Sequence, residues 1–245
     1  MLLYFILGLL FIFNIIAIIL GVYSLIKREE EYYNKEDIVL ILTSTINIGD
    51  RVSYLLMTDP GERLKIYEKA INSWINDSSF KIVLVENSGH KFENLPKDPR
   101  LEIISYTPEG EDKKKLDKHA DKGAHELHSI NYAIKNSKII KNMKDGFVIK
   151  ITGRYYIPNF EKILKDTITD STEFITQNNR MRCEIIGCKL NLADKLFEFK
   201  MIGQMEADMK KLIDKLGNEK TINKLPKIPI PPTLTGGWKK FTNFL

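Results

Sequence analysis

Only two cysteines, Cys183 and Cys188, occur in the 245 residues. That excludes a disulfide framework and a cysteine zinc set. No Gly-x4-Gly-Lys-Ser/Thr loop is present, which removes the commonest phosphate-binding loop, and no Gly-x-Gly-x-x-Gly follows the first strand-like run, which argues against a dinucleotide domain. Residues 1–26 carry no charged side chain at all. The run LLYFILGLLFIFNIIAIILGVYSLI is long enough to cross a hydrocarbon core of about 20 helical residues, and it lacks the basic leading region of a secretory signal. The expectation is an uncleaved single-pass anchor over 1–26, followed by a charged stalk over 27–37. Lys27 and Arg28 directly after the run place the following domain in the cytoplasm by charge bias, with an ER or Golgi lumen as the other orientation.

All the Lys and Arg residues follow residue 26, and the net charge is +5. The basic residues are scattered among acids, without interleaved aromatics, so no nucleic acid is expected as a partner. Three of the four histidines, His119, His125 and His128, lie in the highly charged stretch KHADKGAHELH, which reads as structural or solvated rather than as a metal set.

The remainder has the texture of an α/β domain. Ile38–Leu42 is an aliphatic run of the kind buried on both faces of a parallel sheet, and it ends in the hydroxyls Thr43, Ser44 and Thr45. Glu62–Ile75 has helical spacing. Phe80–Val85 is a second strand, closed by Glu86, Asn87, Ser88 and Gly89, and Leu101–Tyr106 a third. Thr107–Lys122 is rich in charge, Pro and Gly, and reads as a mobile loop. Gly123–Ile140 reads as a helix, Phe147–Ile151 as a fourth strand, Asn159–Lys165 and Ala193–Leu216 as helices, and Phe174–Cys188 as one or two short strands. Residues 226–245 read as a Pro/Gly-rich tail, with a flap hinged at Gly236-Gly237 and tipped by Trp238 as the second reading. This order implies a mainly parallel sheet flanked by helices over 38–225, with polar residues at the strand ends where ligands of open α/β sheets sit. The most pointed segment is Thr152-Gly153-Arg154, directly after FVIKI. Its glycine permits a close backbone approach, and its guanidinium offers a fork of donors suited to phosphate or carboxylate.

Taken in order, TST after the first strand, IVLVENSG, KGAHE opening a helix and VIKITGRYY resemble small nucleotide-diphospho-sugar transferase-like proteins with a GT-A-type fold, of the group bearing a Lys-x-Thr-Gly-Arg-Tyr segment and found among microbial and large-virus surface-glycan enzymes. The resemblance covers roughly residues 38–210. It implies a membrane-anchored glycosyltransferase moving a sugar from a nucleotide-sugar donor to a glycan or lipid-linked acceptor. Thr43, Ser44, Thr45, Glu86, Asn87, Ser88, Lys122, Gly123, Glu126, Lys150, Thr152, Gly153, Arg154 and Tyr155 would surround the donor. The chain departs from the pattern at the fourth strand, which has no Asp-x-Asp. Arg154 and Lys150 would there replace the divalent ion that neutralises a leaving diphosphate, so no cofactor is required on this reading, with Mn or Mg as the alternative. Glu206, set among apolar neighbours in QMEADM, is the first choice for the general base. The other functional class is a catalytically inactive glycosyltransferase-like binding or scaffold protein, which the missing Asp-x-Asp favours.

Overall fold

The computed structural model describes residues 12–23, 38–49, 55–118, 122–179, 182–200, 204–237 and 240–245. The chain divides into two units, Met1–Asn34 and Lys35–Leu245. In the first unit, residues 12–23 form a helix (α1) with exposed side chains. Among the described residues no helix is long and apolar enough to cross a membrane. The rest of the expected 1–26 span and the 27–37 stalk lie outside the described residues.

The second unit is built on a seven-stranded mixed sheet in the order β3-β2-β1-β4-β6-β5-β7. Its strands are β1 (Ile38–Ser44), β2 (Lys81–Glu86), β3 (Leu101–Ser105), β4 (Phe147–Thr152), β5 (Phe174–Gln177), β6 (Ile185–Lys189) and β7 (Ile222–Leu225). β1 pairs in parallel with β2 on one side and β4 on the other, while β6 alone runs against its neighbours. The aliphatic runs explain the placement. β1 is buried at every position, as a strand must be when both faces of the sheet are covered. Alternation then sends Val39, Ile41, Val83, Val85 and Val148 into one cluster with Leu127 and Ile130 of α4 (Lys122–Asn136), Leu196 of α7 (Leu190–Leu196), and Met205, Met209 and Ile213 of α8 (Met205–Leu216). The methionines of α8 are core residues.

Helix α2 (Pro60–Asp77) starts where the sequence supplies both devices for a start. The Asp59 carboxylate accepts from the Glu62 N–H at 2.7 Å, and Pro60 occupies the first turn. Its Trp74 meets Phe80 and Phe160 edge-on, and the indole N–H donates to the Tyr155 carbonyl at 2.9 Å. Phe160 opens α6 (Phe160–Thr167). These contacts fix the chain just beyond β4.

Four local expectations change. The segment expected as a mobile loop over 107–122 contains a helix, α3 (Gly110–Leu116), whose Leu116 is buried. The helix expected over Gly123–Ile140 ends at Asn136, and Ser137 caps a separate turn, α5 (Lys138–Lys141), by accepting from the Ile140 N–H. The single helix expected over Ala193–Leu216 is two, α7 and α8. The Asn131 side chain donates to the Phe197 carbonyl at 3.0 Å, occupying an acceptor that a continuing helix would have used. The tail is structured: β8 (Pro229–Leu234) and β9 (Phe241–Phe244) form a two-stranded antiparallel ribbon.

Candidate functional site

β1 is the point where the strand order reverses, since β2 and β3 lie to one side and β4 to the other. Ligands of open α/β sheets bind beyond the carboxyl ends of the strands at such a point. A cavity of about 370 Å³ opens there. Its walls come from the ends of β1, β2 and β4, the first two turns of α4, the first turn of α8 and Gly236 of the C-terminal segment.

At its floor lies Glu126. One carboxylate oxygen, Oε1, accepts from Thr43 Oγ1 at 2.7 Å and from Thr152 Oγ1 at 3.1 Å, and it pairs with the Lys150 ammonium at 2.8 Å. Lys150 is fully buried, and its three N–H groups go to Glu126, to Thr152 Oγ1 at 3.1 Å and to the Cys183 carbonyl. It therefore does not line the cavity, and no N–H is left for a ligand. Burial pushes the Glu126 carboxyl up, but Lys150, the Thr43 hydroxyl and Arg154 outweigh it and hold it below the ordinary carboxylate value. The cluster ties β1, β4 and α4 together beneath the cavity.

Arg154 forms the wall above. It stacks over the Tyr155 ring at 4.6 Å, and Nη2 donates to the Tyr155 hydroxyl at 3.2 Å. Its Nε is buried and has no hydrogen-bond partner among the described residues. Burial works against the charge, but the Tyr155 and Tyr67 hydroxyls and the Glu126 carboxylate raise the guanidinium's pKa above its ordinary value. Gly153 acts differently from the expectation. Its N–H donates to the Thr43 carbonyl at 2.9 Å, and a Cβ would stand 2.6 Å from that oxygen. The close approach is of β4 to β1, rather than of backbone to ligand.

The loops after β1 and β2 are locked to one another by Glu86. Its fully buried carboxylate accepts from the Ile46, Ser88 and His90 N–H groups at 3.0, 3.0 and 2.8 Å, and from the Ser88 hydroxyl. Thr45 donates to Asn87 Oδ1 at 2.7 Å, and Asn87 Nδ2 donates to Ser129 Oγ at 2.8 Å. Gly89 adopts φ +80°, where a side chain would also collide with the Thr107 hydroxyl.

Of the residues expected around a donor, Thr43, Ser44, Thr45, Asn87, Ser88, Lys122, Glu126, Thr152 and Arg154 line the cavity, and so does Glu206 from the first turn of α8. Glu86, Gly123, Lys150, Gly153 and Tyr155 do not, and four of these five have the structural tasks just described. Trp238, the tip of the flap reading, lies outside the described residues.

Four contributors, His125, Ser129, Arg63 and Cys183, escaped the sequence reading. His125 and Ser129 continue the Lys122–Glu126 face of α4 at helical spacing, which was a usable signal. Arg63, buried on the apolar stripe of α2, donates to the Thr45 carbonyl at 2.6 Å and the Met57 carbonyl at 3.0 Å, and so shapes the loop; a charge on an apolar stripe was its signal. Gly236, the hinge of the flap reading, lines the cavity, and its carbonyl accepts from the Leu56 N–H at 3.0 Å. Cys183 also reaches the cavity, with its thiol pushed up to about 12 by burial, so it presents no thiolate at neutral pH.

Among the described residues no group of three or more His, Cys, Asp or Glu could hold a metal ion. Glu126 Oε1 is already saturated, and Glu184 is held by Arg182 at 2.8 Å.

No protein-family model matches the chain, and no curated protein matches it. Among solved structures, a cytidylyltransferase from Leptospira borgpetersenii serovar Hardjo-bovis shares 13% sequence identity with it, over 76% of this chain and 74% of that one, with a TM-score of 0.38. That likeness is too slight to carry an activity across.

Proposed function

We propose that the cavity binds a nucleotide-sugar and that the protein transfers its sugar to an acceptor, as a GT-A-like glycosyltransferase. The observation that carries the reading is Arg154, a half-buried arginine with a buried, unpartnered Nε just after the carboxyl end of β4, on the wall of a cavity at the sheet's switch point. A leaving diphosphate is the kind of anion such a group stabilises. The N-terminal turns of α4 face the same space, and helix N-termini favour phosphate. The hydroxyls and amides at the ends of β1 and β2 suit a ribose and a base edge. In the transfer, the bond between the anomeric carbon and the diphosphate oxygen breaks, its electron pair leaves on the nucleoside diphosphate, and Arg154 meets the charge. Glu206, across the cavity, takes the proton of the attacking acceptor hydroxyl. Lys150 acts from below, by fixing Glu126 in place. The apolar run over 1–26 would hold the domain at a membrane-borne acceptor.

The test is release of nucleoside diphosphate from UDP-, GDP-, CMP- and dTDP-sugars (nucleoside monophosphate for CMP), with and without Mn²⁺. One donor class should be consumed without metal. Arg154→Lys should lower turnover by about 10²–10³-fold, the usual loss when one charge-stabilising donor is misplaced. Glu206→Ala should lose turnover and keep nucleotide binding. Nucleotide binding without turnover of any donor would favour the binding-protein alternative, and full dependence on Mn²⁺ would refute the metal-free mechanism.

A further inference from the structure

Arg154 also lines a second space. A groove of about 410 Å³ runs between α2 and the C-terminal ribbon, and its floor and far wall are apolar: Ile66 and Ala70 of α2, Tyr156, Leu234 and Phe241. Phe241 is 72% exposed. Lys65 and Lys69 stand one turn apart on the α2 side of the groove, and neither has an ion-pair or hydrogen-bond partner among the described residues. Like charges at that spacing repel, and nothing in the fold uses them. The acidic side chain on the same wall is Glu62, so the groove is net basic along one edge and greasy along the other. An apolar trough with two unpaired ammonium groups and a guanidinium complements an amphiphile with an anionic head. Because Arg154 belongs to both walls, the groove's head-binding end lies beside the cavity assigned to the donor.

We propose that this groove is the acceptor site and that it takes a lipid whose headgroup carries a phosphate beside a hydroxyl; the hydroxyl oxygen forms the new bond to the anomeric carbon as the diphosphate leaves, and its proton goes to Glu206. The phosphate lies against Lys65, Lys69 and Arg154, and the hydrocarbon lies along Ile66, Leu234 and Phe241. The acceptor role rests on the donor reading above; the lipid-phosphate site does not. The charge-free 1–26 run fits the same partner, since a lipid acceptor is presented at a membrane.

Hydrogen exchange on the full chain, held in an uncharged detergent, tests this with octyl phosphate, octanol and inorganic phosphate as probes, and with the four nucleotide-sugars added separately. Octyl phosphate should slow exchange at least threefold in peptides from α2 and the ribbon, and octanol or inorganic phosphate alone should not. The exposed double variant Lys65→Glu/Lys69→Glu should weaken octyl phosphate at least tenfold while leaving nucleotide-sugar protection at the ends of β1 and β4 intact. Phe241→Ala, also exposed, should weaken it without a change of charge. Protection by octanol or by inorganic phosphate equal to that by octyl phosphate would overturn the proposal, as would indifference to both variants. Nucleotide protection without octyl phosphate protection would remove the acceptor site and leave the donor site standing. Octyl phosphate protection without nucleotide protection would keep the lipid-phosphate site and remove the donor reading.

Discussion

At the scale of single residues, the site divides into side chains that face the cavity and side chains that hold them. Lys150 is of the second kind. Breaking a buried ion pair by removing one partner costs more than the pair contributes, because it strands the other charge. Lys150→Met should therefore destabilise the protein by about 3 kcal/mol, the lower end of the usual range, since Glu126 reaches the cavity. Urea unfolding measures it. The same pair predicts a pH dependence. The folded-state pKa of Glu126 lies below its ordinary 4.5, so the stability it contributes is complete above that value and is lost as pH falls from 4.5 through the lowered folded value. Glu184 is depressed too: its burial is outweighed by Arg182 and the backbone, so it adds to the same acid loss. Thermal midpoints between pH 6 and pH 3 should fall more shallowly in Lys150→Met than in the parent chain. Equal slopes would show that Lys150 does not govern the Glu126 carboxyl.

At the scale of elements, the loops after β1 and β2 behave as one piece because Glu86 holds three backbone N–H groups and a hydroxyl. Glu86→Ala leaves the buried Ile46 N–H without a partner and turns the three part-buried donors of Ser88 and His90 to water, so a loss of about 1–3 kcal/mol is expected in denaturant unfolding. A loss below 1 kcal/mol would mean that the loops are held by something else. This residue also marks where the sequence was legible and where it was not. The strands were legible, because β1, β2 and β4 are largely aliphatic runs, broken in β4 only by Lys150, of the kind a doubly covered sheet buries. That Thr43, Thr152 and Arg154 meet at one place follows from parallel pairing of β1 with β4. The roles of Glu86 and Lys150 were not legible. A carboxylate at a strand end looks the same in sequence whether it faces a ligand or turns back to cap its own loop, and only the partners 2 to 40 residues away decide it. The end of α7 was hidden in the same way, since Asn131, whose side chain bonds the Phe197 carbonyl there, lies 66 residues upstream.

At the scale of the whole domain, the C-terminal segment is the part least visible in sequence and most consequential for the site. Its prolines read as an open tail, yet β8 and β9 pair, and Gly236 between them accepts from Leu56 at the cavity wall. The segment thus lines the cavity on one side and the second groove on the other, and Arg154 lines both. A two-stranded ribbon is marginal by itself, so its order depends on these contacts with the loop before α2.

The central claim is that the cavity at the switch point is a nucleotide-sugar site organised by Arg154. The direct measurement is titration calorimetry of the full chain with UDP-, GDP-, CMP- and dTDP-sugars in the presence of a chelator, beside Arg154→Ala checked for native circular dichroism. Saturable binding of one nucleotide class, at least tenfold weaker in Arg154→Ala, is the expected result. A folded chain that binds none of the four, or binds one equally well without the guanidinium, would contradict the account.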